Sequence, residues 1–141
     1  MRPSVQWILC AMMFFVGCGE AEPNGDDDWQ AMAQTDEGSV SLCANTADAN
    51  GTVRVSADVC LSSSCSRNAV GTCDVTLDGT TITVTSQFDW EENMGKMVAC
   101  TDDCRNIEAD CGEIGPLAAG TYTIVHGASS QEVEVPSNDG C

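Results

Sequence analysis

The chain has 141 residues, with 22 acidic side chains against five basic ones, a formal net charge of −17, and ten cysteines. That length holds one domain and little more. The charge repels nucleic acid and anionic headgroups, which argues against binding to either, and it attracts a basic protein, although strong acidity also serves solubility alone. Aromatic residues are scarce, so the core has to be built from Val, Ile, Leu and half-cystines, with disulfides supplementing modest burial.

Arg2 and the amino terminus form a short positive region, and 5–16 (VQWILCAMMFFV) is an apolar run broken only by Gln6. The run has the length of a signal-peptide core and falls short of the roughly 20 apolar residues of a spanning helix. An ordinary secretory site has small residues at −3 and −1; Gly17 fits −1, but Phe15 does not fit −3. Phe15-Val16-Gly17-Cys18 resembles the lipobox of bacterial lipoproteins, with Phe15 standing where Leu, Val or Ile is usual. The resemblance covers only this leader. It implies that 1–17 is removed, that the Cys18 thiol carries a diacylglyceryl group, and that the membrane is a partner through that lipid. One chain anchors marginally, at about 0.8 kcal/mol per buried CH₂, so the two or three chains of a mature lipoprotein would hold firmly. By resemblance to the sorting rule of Gram-negative enterics, Gly19 rather than Asp after the cysteine favours the outer membrane of a bacterial cell envelope.

Cys10 leaves with such a leader and Cys18 carries lipid. The cysteines that remain are Cys43, Cys60, Cys65, Cys73, Cys100, Cys104, Cys111 and Cys141. An even number in a short exported domain implies a disulfide framework. A metal reading is weaker, because Cys60-x4-Cys65 and Cys100-x3-Cys104 lack paired C-x2-C spacing and the chain has one histidine. No metal and no cofactor is expected. The connectivity stays open, although Cys104 and Cys111 are near enough in sequence to pair locally.

Residues 18–37, the lipidated cysteine followed by GEAEPNGDDDWQAMAQTDE, read as an acidic flexible linker with Pro23 and Gly25 and no sustained period. At about 5–6 Å × √n it would hold the domain roughly 25 Å from the bilayer. Asn24-Gly25-Asp26-Asp27-Asp28 lacks the alternating ligands and distal glutamate of a calcium loop. Trp29 is the odd residue, a candidate to rest on the domain or on the membrane interface.

From 38 to 141 the chain reads as a β domain. Val40 and Leu42 alternate with serines, and Asn50-Gly51 signals a turn before Val53, Val55 and Ala57. After a polar loop at 61–66 comes the strongest local signal. Cys73, Val75 and Leu77 precede Asp78-Gly79, and Ile82, Val84 and Phe88 follow, as in a hairpin with a type I′ turn. A loop over 91–96, a short strand over 97–100 and a helical turn over 102–109 capped by Thr101 are expected next. The carboxylates of 101–115 could form a cation or basic-partner site, but a stapled surface loop accounts for them as well.

Leu117-Ala118-Ala119-Gly120-Thr121-Tyr122 resembles the L-x-x-G-x-Y corner of immunoglobulin-like and fibronectin-like domains, in which the tyrosine hydrogen-bonds back onto the corner backbone. His126 to Ser130 then turns the chain, and Val133 and Val135 alternate with Glu132 and Glu134 up to Pro136. The fold class expected is all-β: a small disulfide-stapled sandwich, Ig-like, of about seven short antiparallel strands.

Catalysis finds little support. His126, the sole histidine, falls in an expected surface loop near Ser129 and Ser130, and no hydrolase, zinc-protease or phosphate-loop motif occurs. Met94 and Met97 with His126 offer a copper(I) donor set in principle, but such methionines are far more often packing residues. The reading is a lipid-anchored, non-catalytic envelope protein that binds or serves structurally. The alternative is an inhibitor of a cationic hydrolase, lysozyme or a protease, steered by charge.

Overall fold

The computed structural model describes residues 28–96 and 98–141. Residues 1–27, which take in the expected leader, Cys18 and most of the expected linker, therefore lie outside the described residues, as does Met97. Over the described residues the chain is a disulfide-stapled all-β sandwich. Its strands are β1 (Trp29–Thr35), β2 (Ser39–Ala44), β3 (Ala49–Ser56), β4 (Ser66–Asp78), β5 (Thr81–Asn93), β6 (Glu108–Leu117), β7 (Gly120–His126), β8 (Ser129–Val135) and β9 (Ser137–Asn138). Sheet one holds β1, β4, β5, β7 and β8; sheet two runs β6-β3-β2-β9.

Period-two alternation explains which faces meet. Ile82, Val84, Phe88 and Trp90 of β5 point inward and are buried, as are Val40 and Leu42 of β2, Val53 and Val55 of β3, and Tyr122 and Ile124 of β7. On β5 the intervening Thr81, Thr83 and Thr85 are exposed. Apolar faces of the two sheets thus form one core between them.

Strand β5 is the spine of sheet one. Along one edge it pairs with β4 from Ser66↔Glu92 to Asp78↔Thr81. Its other edge is divided: β1 pairs antiparallel with the second half, Trp29↔Asn93 to Thr35↔Gln87, and β7 pairs parallel with Thr81 to Val84. The expected seven short antiparallel strands are therefore corrected to nine among the described residues, two of them 13 residues long and one pairing parallel.

Residues 29–35, expected within the linker, form β1, so the domain begins about ten residues before 38. The segment is too polar to announce itself, but β5 offers it an unpaired edge, and Met32 packs against the core. The turn expected at Asn50-Gly51 lies instead at 45–48, where Asp48 adopts φ 60°. Gly51 sits inside β3, where an added Cβ would come within 2.9 Å of the Leu42 and Leu117 side chains. The β4–β5 hairpin forms as expected, but its tip is Gly79-Thr80, with Asp78 paired to Thr81. Of the tip residues only Gly79 has positive φ, at 59°, so the both-positive requirement of a type I′ turn is not met. The loop expected from 91 starts later, because β5 runs to Asn93. Neither the strand expected over 97–100 nor the helical turn over 102–109 is present among the described residues. Val98 is exposed, Ile107 is drawn into the core, and Glu108 already begins β6.

All eight expected cysteines are paired. Cys73–Cys111 joins β4 of one sheet to β6 of the other, and Cys43–Cys141 fastens β2 to the last residue. Cys60–Cys104 and Cys65–Cys100 sew the β3–β4 connection to the β5–β6 connection. Local pairing of Cys104 with Cys111 does not occur, because strand β6 carries Cys111 away to face β4. At the β6–β7 corner Tyr122 Oη donates to the Ala118 carbonyl at 3.2 Å, the bond the corner motif implies.

Removing the inter-sheet bridge with Cys73→Ala/Cys111→Ala should lower unfolding free energy by about 2–4 kcal/mol, since it frees a long loop in the unfolded chain. Urea titration measures this. A loss below about 0.5 kcal/mol, the scale of an ordinary surface change, would show that the bridge adds nothing.

Candidate functional site

The divided edge of β5 needs a joint where β1 leaves and β7 ends, and Ser86 supplies it. Asp36, at φ 51°, follows β1 and turns the chain toward sheet two. Its N–H donates to the Ser86 carbonyl at 3.0 Å. Its Oδ1 accepts from the Ser86 N–H at 2.8 Å, so a side-chain carboxylate extends the β1 ladder where the backbone has turned away. From the other side His126, the last residue of β7, meets Ser86 Oγ through Nε2 at 2.8 Å. Packing is close here: an added Cβ on Gly127 would lie 2.3 Å from the Asp36 carbonyl oxygen.

His126 is thus corrected from a surface loop residue to a strand residue only 4% exposed. Ser129 and Ser130, its neighbours in sequence, belong to β8. The serine it actually bonds lies 40 residues upstream. A signal for this existed: Ser86 is the polar member of an otherwise apolar inward face, and a buried hydroxyl needs a partner. The pair is short of what serine catalysis requires. Ser86 is 4% exposed, and the Asp36 carboxylate holds the serine's amide instead of orienting the imidazole.

Beside this joint runs an open polar groove of about 990 Å³, whose lining includes Asp36, Glu37, Asp58, Asn106, His126 and Ser129. Gln34 at its wall donates to Glu37 at 3.0 Å, while its Oε1 is buried without a partner among the described residues.

The second constellation is the disulfide-sewn loop pair. Leu61 and Arg105 exchange backbone hydrogen bonds of 3.1 and 3.0 Å. Thr101 Oγ1 meets the hydroxyls of Ser62, Ser63 and Ser64 and donates to Asp103. The bond from Thr101, then those from Ser63, hold the Asp103 carboxyl below the ordinary carboxylate range. These bonds engage Thr101 and Asp103 in joining the two loops. No cluster of three metal-ligating His, Cys, Asp or Glu side chains occurs among the described residues. Met94 is exposed in the loop after β5, where its N–H donates to the Asp28 carbonyl, whereas His126 is buried against Ser86 eight residues back along that strand.

Near that end, Arg67 donates to Glu91 and stacks over the Trp29 ring at 4.1 Å. Trp29, left unplaced by its sequence, therefore rests on the domain. The Arg67 hydrogen bond is the main reason the Glu91 carboxyl titrates below its ordinary value.

Comparison with family models, with curated proteins and with solved structures found no match to this chain.

Two outcomes follow from these contacts. Ser86→Ala keeps both backbone bonds to Asp36 but strands a buried imidazole nitrogen, and should cost about 1–3 kcal/mol in urea titration; unchanged stability would mean that His126 finds another partner. For Glu91 the folded-state pKa is depressed, so its contribution exists above the unfolded carboxylate value and is lost as pH falls through the folded one. The stability gap between wild type and Arg67→Met should therefore be present at neutral pH and close in acid. A gap that widens on acidification would contradict this.

Proposed function

We propose that this protein is a lipid-anchored lipoprotein of the bacterial cell envelope, held to the outer membrane through Cys18, and that its β-sandwich acts by binding or as a structural component, without catalysis. The observation that carries this is the partition of the cysteines. Eight of the ten form four disulfides, which are formed and kept in oxidising compartments outside the cytosol. Cys10 lies inside the apolar 5–16 run, and Cys18 follows that run directly. A leader that exports the chain and a single cysteine left for lipid account for both. The strong negative charge favours a basic protein as the partner.

Labelling with a fatty acid in a Gram-negative host tests the anchor. The wild-type chain and Cys10→Ser should incorporate label, and Cys18→Ser should not. Label retained by Cys18→Ser, or a mature amino terminus at another residue, would overturn the reading.

A further inference from the structure

The four bridges differ in what surrounds them. Cys65 is buried, Cys73 and Cys111 are half-buried against the core, and Cys43 is half-buried in β2. Each of those three bridges therefore has at least one half-cystine wholly or partly covered. Cys60–Cys104 alone is exposed at both ends, and neither of its residues lies in a strand. Both residues line the open polar groove. Thiol–disulfide exchange requires a thiolate to reach one sulfur along the S–S axis, from the side away from the other. Exposure at both ends leaves either sulfur open to that approach.

The same bridge is one that the fold can do without. On either side of it the two connections are joined by backbone hydrogen bonds: Ala57 N–H donates to the Ile107 carbonyl at 2.9 Å, and Leu61 and Arg105 exchange bonds of 3.1 and 3.0 Å. Further along, Ser63 N–H donates to the Asp103 carboxylate, and Cys65–Cys100 closes the pair covalently. With Cys65–Cys100 intact, Cys60–Cys104 closes only a short additional loop. Four residues separate Cys60 from Cys65, and three separate Cys100 from Cys104. The bridge thus removes little further entropy from the unfolded chain. Opening it leaves the two connections in register.

We propose that Cys60–Cys104 is a site of reversible thiol–disulfide exchange, reduced by a dithiol that enters the groove while the other three bridges stay closed. A thiolate of the donor attacks one of the two sulfurs. The S–S bonding pair leaves on the other sulfur, which takes up a proton, and a mixed disulfide forms. The donor's second thiolate then attacks its own sulfur in that mixed disulfide and releases the second cysteine, which is protonated in turn. Two electrons and two protons pass to Cys60 and Cys104, and the donor is oxidised to its disulfide. Asp36, Glu37 and Asp58 line the groove with no lysine or arginine among its residues, so an uncharged or basic dithiol is the class it admits.

Graded dithiothreitol, an uncharged dithiol, tests this on the folded protein at neutral pH without denaturant. Free thiols are blocked at intervals with one alkylating reagent. The remaining bridges are then reduced in denaturant and blocked with a second reagent of different mass. Peptide mass spectrometry should find Cys60 and Cys104 carrying the first reagent while the other six half-cystines carry the second. At that stage the urea unfolding midpoint should be close to that of the oxidised protein. Replacing dithiothreitol with its oxidised form should restore the Cys60–Cys104 pair. Cys60→Ala/Cys104→Ala should lack the early step and keep the later reductions at unchanged rates. Earlier labelling of any other pair, labelling of all eight together, re-pairing of Cys60 with another cysteine, or an early step that persists in the double variant would each overturn the proposal. Should the variant fail to fold, the order of labelling in the wild-type chain decides alone.

Discussion

One edge of β5 has to serve two strands, and much of the architecture is arranged around that sharing. β1 takes the second half and β7 the first, so the ladder is broken between them at Ser86. An interruption in a buried sheet leaves backbone and hydroxyl groups to be satisfied. Asp36 and His126 do this from opposite sides. The joint also determines where the chain crosses between sheets, because Asp36 turns it out of β1 and into β2. The polar groove along that crossing is a consequence of the same turn.

Covalent links do elsewhere what hydrogen bonds do at the joint. A sandwich this small, with few aromatics, has a limited core. Cys73–Cys111 holds its sheets together along one side, and Cys43–Cys141 secures the last segment. The remaining pair of bridges turns two irregular connections into one braced unit at the end where the chain enters.

What could be read from the residues alone followed from local patterns. The alternation on either side of Gly79 specified the β4–β5 hairpin, Tyr122 specified its corner bond, and the even cysteine count specified complete pairing. What escaped was set at long range. β1 is a strand because β5 has an edge to offer, and nothing in WQAMAQT says so. Gly51 signals a turn by type, yet it is needed in a strand because Leu42 and Leu117 crowd it. His126 looked like a loop residue because its partner is remote in sequence, and Cys104 and Cys111 diverge because β6 starts between them. The proposed anchor is different in kind: the expected leader and Cys18 are legible only as motif and lie outside the described residues.

The two lines meet in one count of thiols. If Cys18 carries lipid and the other cysteines of the mature chain are oxidised in pairs, the protein extracted from membranes and denatured without reductant should titrate no free thiol, and after reduction it should titrate eight, one for each half-cystine of the four bridges. A ninth thiol on reduction would show that Cys18 is bare, and eight free thiols before any reductant is added would show that the disulfide framework does not exist.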